Sequence, residues 1–128
     1  MVTSKLIKVG VEKHAAIDFS KYLINPIYQP YIEGVEVSVD AWINSSNRVN
    51  GLVLRRRDRI VNGESTVTTT FHNNALEIVC KKVFESMKLY GPVMMQLILD
   101  KNQDPHVIEV NARFGGASTA SIAVGLDA

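Results

Sequence analysis

Apolar residues recur along this chain at two different periods. Between Glu12 and Leu23, Ala15, Ala16, Phe19, Tyr22 and Leu23 fall at helical spacing, and Asn25 followed by Pro26 ends the pattern. From Val35 the period changes to two: Val35, Val37, Val39, Ala41 and Ile43 alternate with Glu36, Ser38, Asp40 and Trp42, predicting a strand with one face on a core. "NSSNR" turns the chain into a return strand, "VNGLVLRRRDRIV", and "NG" introduces a third, "ESTVTTTF", rich in β-branched residues. Helical spacing returns with Ala75, Leu76, Val79, Val83 and Met87, with Asn74 as cap, Glu77 three residues on and Gly91 beyond the end. "VMMQLILD" and "HVIEV" then predict two strands joined by "KNQD", and "ASTASIAVG" the start of a last helix. The expected fold class is α+β, an antiparallel sheet flanked by helices within one domain, residues 1–128.

Composition narrows the chemistry. Of 128 residues, 46% are apolar and 21% charged, as in a globular domain with a core. Fourteen basic and thirteen acidic residues leave a net charge of +1, so any basic site must be local. The single Cys80 forms no internal disulfide, and His14, His72 and His106 are too scattered for a zinc cluster. With no apolar run long enough for a signal peptide or membrane span, a reducing, cytoplasmic setting is expected, with no membrane partner.

The stretch "VIEVNARFGG" raises the chemical question. Residues two apart on a strand share a face, so Glu109 and Asn111 project together while Ile108 and Val110 are expected in the core, with Arg113 extending the polar row. A symmetrical hairpin centred between Asn102 and Gln103 sets Gln96 opposite Glu109. One carboxylate and two amide oxygens suit magnesium, which keeps waters or phosphates in its remaining positions. Arg113 offers a planar fork for phosphate oxygens, and Gly115 and Gly116 would let backbone amides approach an anion. The bland alternative is a surface ion pair between Glu109 and Arg113.

"QLILD…VIEVNARFGGAS", with "QPYIEGVEVSVD" upstream, resembles the carboxyl-terminal half of the ATP-grasp domain, most nearly in carbamoyl-phosphate-synthase-like carboxylate-amine ligases. The resemblance implies transfer of the γ-phosphoryl group of ATP to a small carboxylate substrate, giving an acyl phosphate that an amine or similar nucleophile attacks. It implies ATP with magnesium or manganese as cofactors. Gln96, Glu109 and Asn111 would be metal ligands and Arg113 a phosphate-contacting arginine; Gln29 and Tyr31 would line the adenine, and Glu36 would hold the ribose hydroxyls. Relatives carry a lysine and a glycine-rich loop in an amino-terminal half, so this sequence is expected to be a partial ATP-grasp domain, incomplete at both ends, whose partners are that half and a preceding domain. The piece alone is expected to be inactive.

A competing reading gives "LRRRDR" a nucleic-acid or acidic partner. Alternation on a strand puts Arg55, Arg57 and Arg59 on one face and Arg56 and Asp58 on the other, and no aromatics interleave to stack bases. The near-neutral chain argues against nucleic acid. An ATP-grasp scaffold without catalysis is the third reading, left open by Gln29 and Gln96. His72 is expected to be a capping or surface residue, His106 and His14 have no evident partner, and Cys80 is expected to be a buried small hydrophobe.

Overall fold

The computed structural model describes residues 12–62 and 64–126, with the side chains of 59–61 and 64–66 also outside the description. The expectation placed on the Arg59 side chain therefore lies outside the described residues. The chain divides into two units, Met1–Ile32 and Glu33–Ala128.

In the first unit the helical spacing produces α1, Lys13–Ser20, shorter than the predicted Glu12–Leu23. None of its residues is fully buried, and Ala15, Ala16 and Phe19 of the apolar set are half-buried. Gln29 and Tyr31 follow in a segment without regular secondary structure, and both are exposed.

The second unit is a five-stranded sheet. Its strands are β1 (Gly34–Ile43), β2 (Val49–Val61), β3 (Glu64–Phe71), β4 (Gly91–Asp100) and β5 (Pro105–Asn111), in the order β3-β2-β1-β4-β5 with every pair antiparallel. Helix α2 (Asn74–Ser86) follows β3, and the short α3 (Thr119–Ala123) follows β5. The predicted α+β class, and each predicted strand, is present.

The alternating residues Val37, Val39, Ala41 and Ile43 of β1 meet Leu54 of β2 and Val93, Met95, Leu97 and Leu99 of β4 in one apolar cluster, which α2 closes with Leu76, Cys80 and Phe84. That stripe is rotated from the predicted one. Val79 is 41% exposed and Met87 is also exposed, whereas Phe84 is fully buried. The reason is that Leu76, Cys80 and Phe84, four residues apart, form the face turned to the sheet, leaving Val83 at its margin. Asn73, not Asn74, caps the helix: its side chain accepts from the Leu76 amide at 3.1 Å, and Glu77 accepts from the Asn73 amide at 3.4 Å.

The opposite face of β1 is not the solvated face that simple alternation suggests. Ser38 and Asp40 are as buried as the valines between them, because α3 packs over β2 and β3 on that side. Helices α2 and α3 thus sit on opposite faces of one sheet.

Packing predicts two outcomes. Phe84→Ala should destabilise the chain by about 3–5 kcal/mol in urea titration, and Val79→Ala by under about 1 kcal/mol; the reverse order would restore the stripe expected from the sequence. Burial pushes the Cys80 thiol up to about 12, with Glu77 adding to the shift. A disulfide reagent at pH 8 should therefore modify Cys80 only as fast as the chain unfolds, and immediate labelling would contradict its place in the core.

Candidate functional site

One rung of the sheet crosses all five strands. Thr70 lies opposite Arg55, Arg55 opposite Ser38, Ser38 opposite Gln96, and Gln96 opposite Glu109. Directly opposed residues share a face, so these polar side chains stand in one row on the side away from α2. Asn111 lies two residues beyond Glu109, opposite Met94, and its amide nitrogen donates to Glu109 Oε1 at 3.2 Å. Gln96, Glu109 and Asn111 are therefore brought together, and all three remain at least partly accessible.

The hairpin reaches that pairing by an unexpected route. Its turn is centred on Asn102, since Leu99 faces Pro105, which alone would put Gln96 opposite Ile108. A β-bulge between Gln96 and Leu97 on the β4–β5 ladder adds one residue to β5 and delivers Glu109 instead. Asp100 shapes the turn: its Oδ1 accepts from the Asn102 and Asp104 amides at 2.8 and 3.0 Å. The bulge also corrects the expectation for Ile108, which is 43% exposed rather than in the core, while Val110 packs against the core as expected.

Arg113 does not extend the row. The strand ends at Asn111, and the Arg113 guanidinium is exposed and donates to the Phe114 carbonyl at 3.1 Å. No ion pair joins it to Glu109 among the described residues, so the bland reading of the row as a Glu109–Arg113 pair is not what the side chains form. Gly115 has a packing role rather than the anion-binding one expected of it. A Cβ there would stand 2.4 Å from Met94 Sδ, and its amide already donates to Ser118 Oγ at 2.9 Å.

The residue that sequence reasoning missed is Asp40. It is fully buried, and its Oδ2 accepts from Arg55 Nε at 2.6 Å and from Ser121 Oγ at 2.5 Å, while Oδ1 accepts from Ser118 Oγ at 2.8 Å. Arg55, also buried, sends Nη1 toward Thr68 Oγ1 at 3.5 Å. A buried carboxylate survives only with such partners, and these anchor the segment after Asn111 onto the sheet. The sole sequence signal was an acid at the centre of an apolar strand.

This geometry alters the arginine reading. Arg55 is enclosed and cannot face a ligand, and Arg57 Nη1 donates to Glu36 Oε2 at 2.8 Å. Arg56 pairs with Asp58 on the other face, where the Thr69 hydroxyl and Arg56 hold the Asp58 carboxyl below its ordinary range. No open basic patch forms from Arg55, Arg56 and Arg57, which removes the physical basis for a nucleic-acid strand among the described side chains. His72 is a surface residue with Nδ1 3.3 Å from Glu77, and His14 lies 3.5 Å from Glu12.

The family of known proteins described as "ATP-grasp in the biosynthetic pathway with Ter operon" matches residues 24–128. The chain belongs to the ATP-grasp superfamily. Solved structures share the fold: the biotin carboxylase–beta-gamma-ATP complex from Campylobacter jejuni at a TM-score of 0.60 and 16% identity, covering 75% of this chain and 23% of that one. An L-amino acid ligase from Bacillus licheniformis, at a TM-score of 0.50 and 24% identity, covers 70% of this chain and 25% of its own. A putative ATP-grasp superfamily protein from Archaeoglobus fulgidus also gives 0.50 and 24%, covering 67% and 29%. This ATP-grasp chain spans about a quarter of the length of those structures. No curated protein matches it in sequence. Among the described residues no helix is long and apolar enough to cross a membrane.

The donor set fits a divalent cation of the hard kind. It supplies oxygen ligands only, with a single carboxylate, and among the described residues no cluster of three His, Cys, Asp or Glu competes with it. One acid cannot neutralise a dication, which leaves coordination positions open to waters or to further anionic oxygens.

Asp40→Ala leaves Arg55 buried without its partner, and should cost about 3–5 kcal/mol in denaturant titration. It should also abolish amide-exchange protection at Ile122, whose amide bonds to Ser118. A loss below about 1 kcal/mol, with Ile122 still protected, would show that the segment is held by other contacts.

Proposed function

We propose that this ATP-grasp chain carries the metal- and nucleotide-binding face of an ATP-dependent ligase that activates a small carboxylate, in the manner of carbamoyl-phosphate-synthase-like enzymes. The observation that carries the reading is the facing pair Gln96 and Glu109 with Asn111 in contact with Glu109. Gln96, Glu109 and Asn111 would hold magnesium or manganese, which when bound supplies positive charge against the β- and γ-phosphates of ATP.

The chain's own residues account for orientation. β4 and β5 fix the donors on rigid backbone, and Asp40 with Ser118 and Ser121 secures the turn that follows Asn111. Arg113, exposed beside that turn, is free to swing from the Phe114 carbonyl to a phosphate oxygen. Glu36, on the same face, has one oxygen engaged by Arg57 and another for the vicinal ribose hydroxyls. Gln29 and Tyr31, in the preceding unit, are assigned to the adenine by the same reading.

In the reaction, a carboxylate oxygen of the substrate attacks the γ-phosphorus, the bond to the β–γ bridging oxygen breaks, and ADP leaves. The amine then attacks the acyl carbon and inorganic phosphate departs. Neutralising the accumulated negative charge is the largest demand on the site. The full reaction is assigned to a parent protein in a cytoplasmic setting, with the amino-terminal ATP-grasp half as the structural partner. This face alone offers one wall of the site, so weak nucleotide binding and no ligation are expected of it.

Calorimetric or NMR titration tests the reading. The 128-residue chain should bind ATP more tightly with magnesium than without, and Glu109→Gln should remove that difference while leaving the unfolding free energy within about 0.5 kcal/mol of its starting value. Magnesium-independent binding, or full retention of the magnesium effect in Glu109→Gln, would favour a scaffold that no longer handles a metal.

A further inference from the structure

The bulge that brings Glu109 to the polar face sets it on the same side as a histidine that the turn already places there. His106 lies opposite Ile98, and Glu109 lies opposite Gln96. Gln96 and Ile98 are two apart and share a face, so His106 and Glu109 must share it too, although three residues separate them. On a regular strand they would point to opposite sides. The extra residue, not the sequence spacing, makes them neighbours.

The resulting arrangement surrounds Ile98. Glu36 lies opposite it on β1, His106 opposite it on β5, and Gln96 and Asp100 flank it along β4. With strands about 4.8 Å apart, Glu36 and His106 stand roughly 10 Å from each other across the half-buried isoleucine. His106 is held there: its Nε2 is 2.9 Å from Asp100 Oδ2, and its side chain is 37% exposed. The His106 ring and the Asp104 amide keep the Asp100 carboxyl below its ordinary range. That stabilisation is present at neutral pH and lost as pH falls through the carboxylate range, so near neutrality the turn clamps the imidazole.

We infer that His106 is a further nucleoside-binding residue, facing Glu36 across Ile98. The inference rests on the nucleotide reading above. If the cation and triphosphate sit at the Gln96–Glu109 rung, the next polar rung lies about 7 Å away along the strands. A nucleoside reaching from that cation to Glu36 passes over Ile98. His106 is the polar side chain on its far side, with the ring nitrogen not directed at Asp100 available to a sugar hydroxyl or a base edge.

The test compares two ligands on the 128-residue chain: magnesium ATP, and magnesium with inorganic tripolyphosphate, which lacks the nucleoside. His106→Ala should weaken ATP roughly fivefold, the value of one hydrogen bond, and leave tripolyphosphate unchanged. His106→Gln should recover part of the loss. Should His106→Ala not fold, the ring resonances of His106 in the unaltered chain should shift with magnesium ATP and stay in place with magnesium tripolyphosphate. Equal weakening of both ligands would reduce His106 to a hairpin clamp and overturn the inference, as would unchanged ATP affinity or identical ring shifts with both. Binding of neither ligand by the unaltered chain would defeat the nucleotide reading itself, a result distinguishable from the others.

Discussion

A fully buried carboxylate paired with a fully buried guanidinium holds the polar side of this sheet together. Removing two charges from water costs several kcal/mol each, and the cost is tolerable only where hydrogen bonds are complete. Asp40 meets the condition with Arg55, Ser118 and Ser121, partners drawn from two distant segments of the sequence. Their convergence requires β1 and β2 to pair in one register and the chain after β5 to fold back over both. The close seat of Gly115 on Met94 belongs to the same arrangement. Because Asn111 stands on β5 just ahead of this anchored segment, the candidate ligands lie between a rigid ladder and a fixed turn.

The second constraint is the single extra residue in β5. It lets a turn centred on Asn102 coexist with Gln96 facing Glu109, and it brings Glu109 to the polar face that His106 occupies. Such bulges bend and twist an edge strand locally, which is how a sheet can aim side chains that strict alternation would send apart. Ile108, left at the bulge and exposed, is the residue that this device displaces from the core.

Much of the fold was legible because alternation and turn chemistry are local. All five strands follow from periodicity, and "KNQD" marks the hairpin that pairs Gln96 with Glu109. That pairing was reached from a turn centre half a residue away from the observed one, an offset the bulge compensates. What periodicity cannot see is contact between distant segments. Nothing near Arg55 in the sequence announces burial: Asp40 lies fifteen residues before it, and Ser118 and Ser121 lie 78 and 81 residues beyond Asp40. The α2 stripe was misjudged by one position because Val79 and Phe84 are both apolar, and only the sheet decides which turns inward. The partner of His106 is not legible in the sequence, since a regular strand with Glu109 on the polar face carries His106 to the other one. Arg113 was read as extending a strand that ends at Asn111.

The central claim is that adjacent ladder positions on β4 and β5 form one cation site, and paramagnetic relaxation reads it directly. Adding substoichiometric manganese with ATP to the chain should broaden the side-chain amide signals of Gln96 and Asn111 together, ahead of those of Asn44, Asn47 and Asn102. Broadening centred on other amides, or on one of the pair while the other stays sharp, would contradict it.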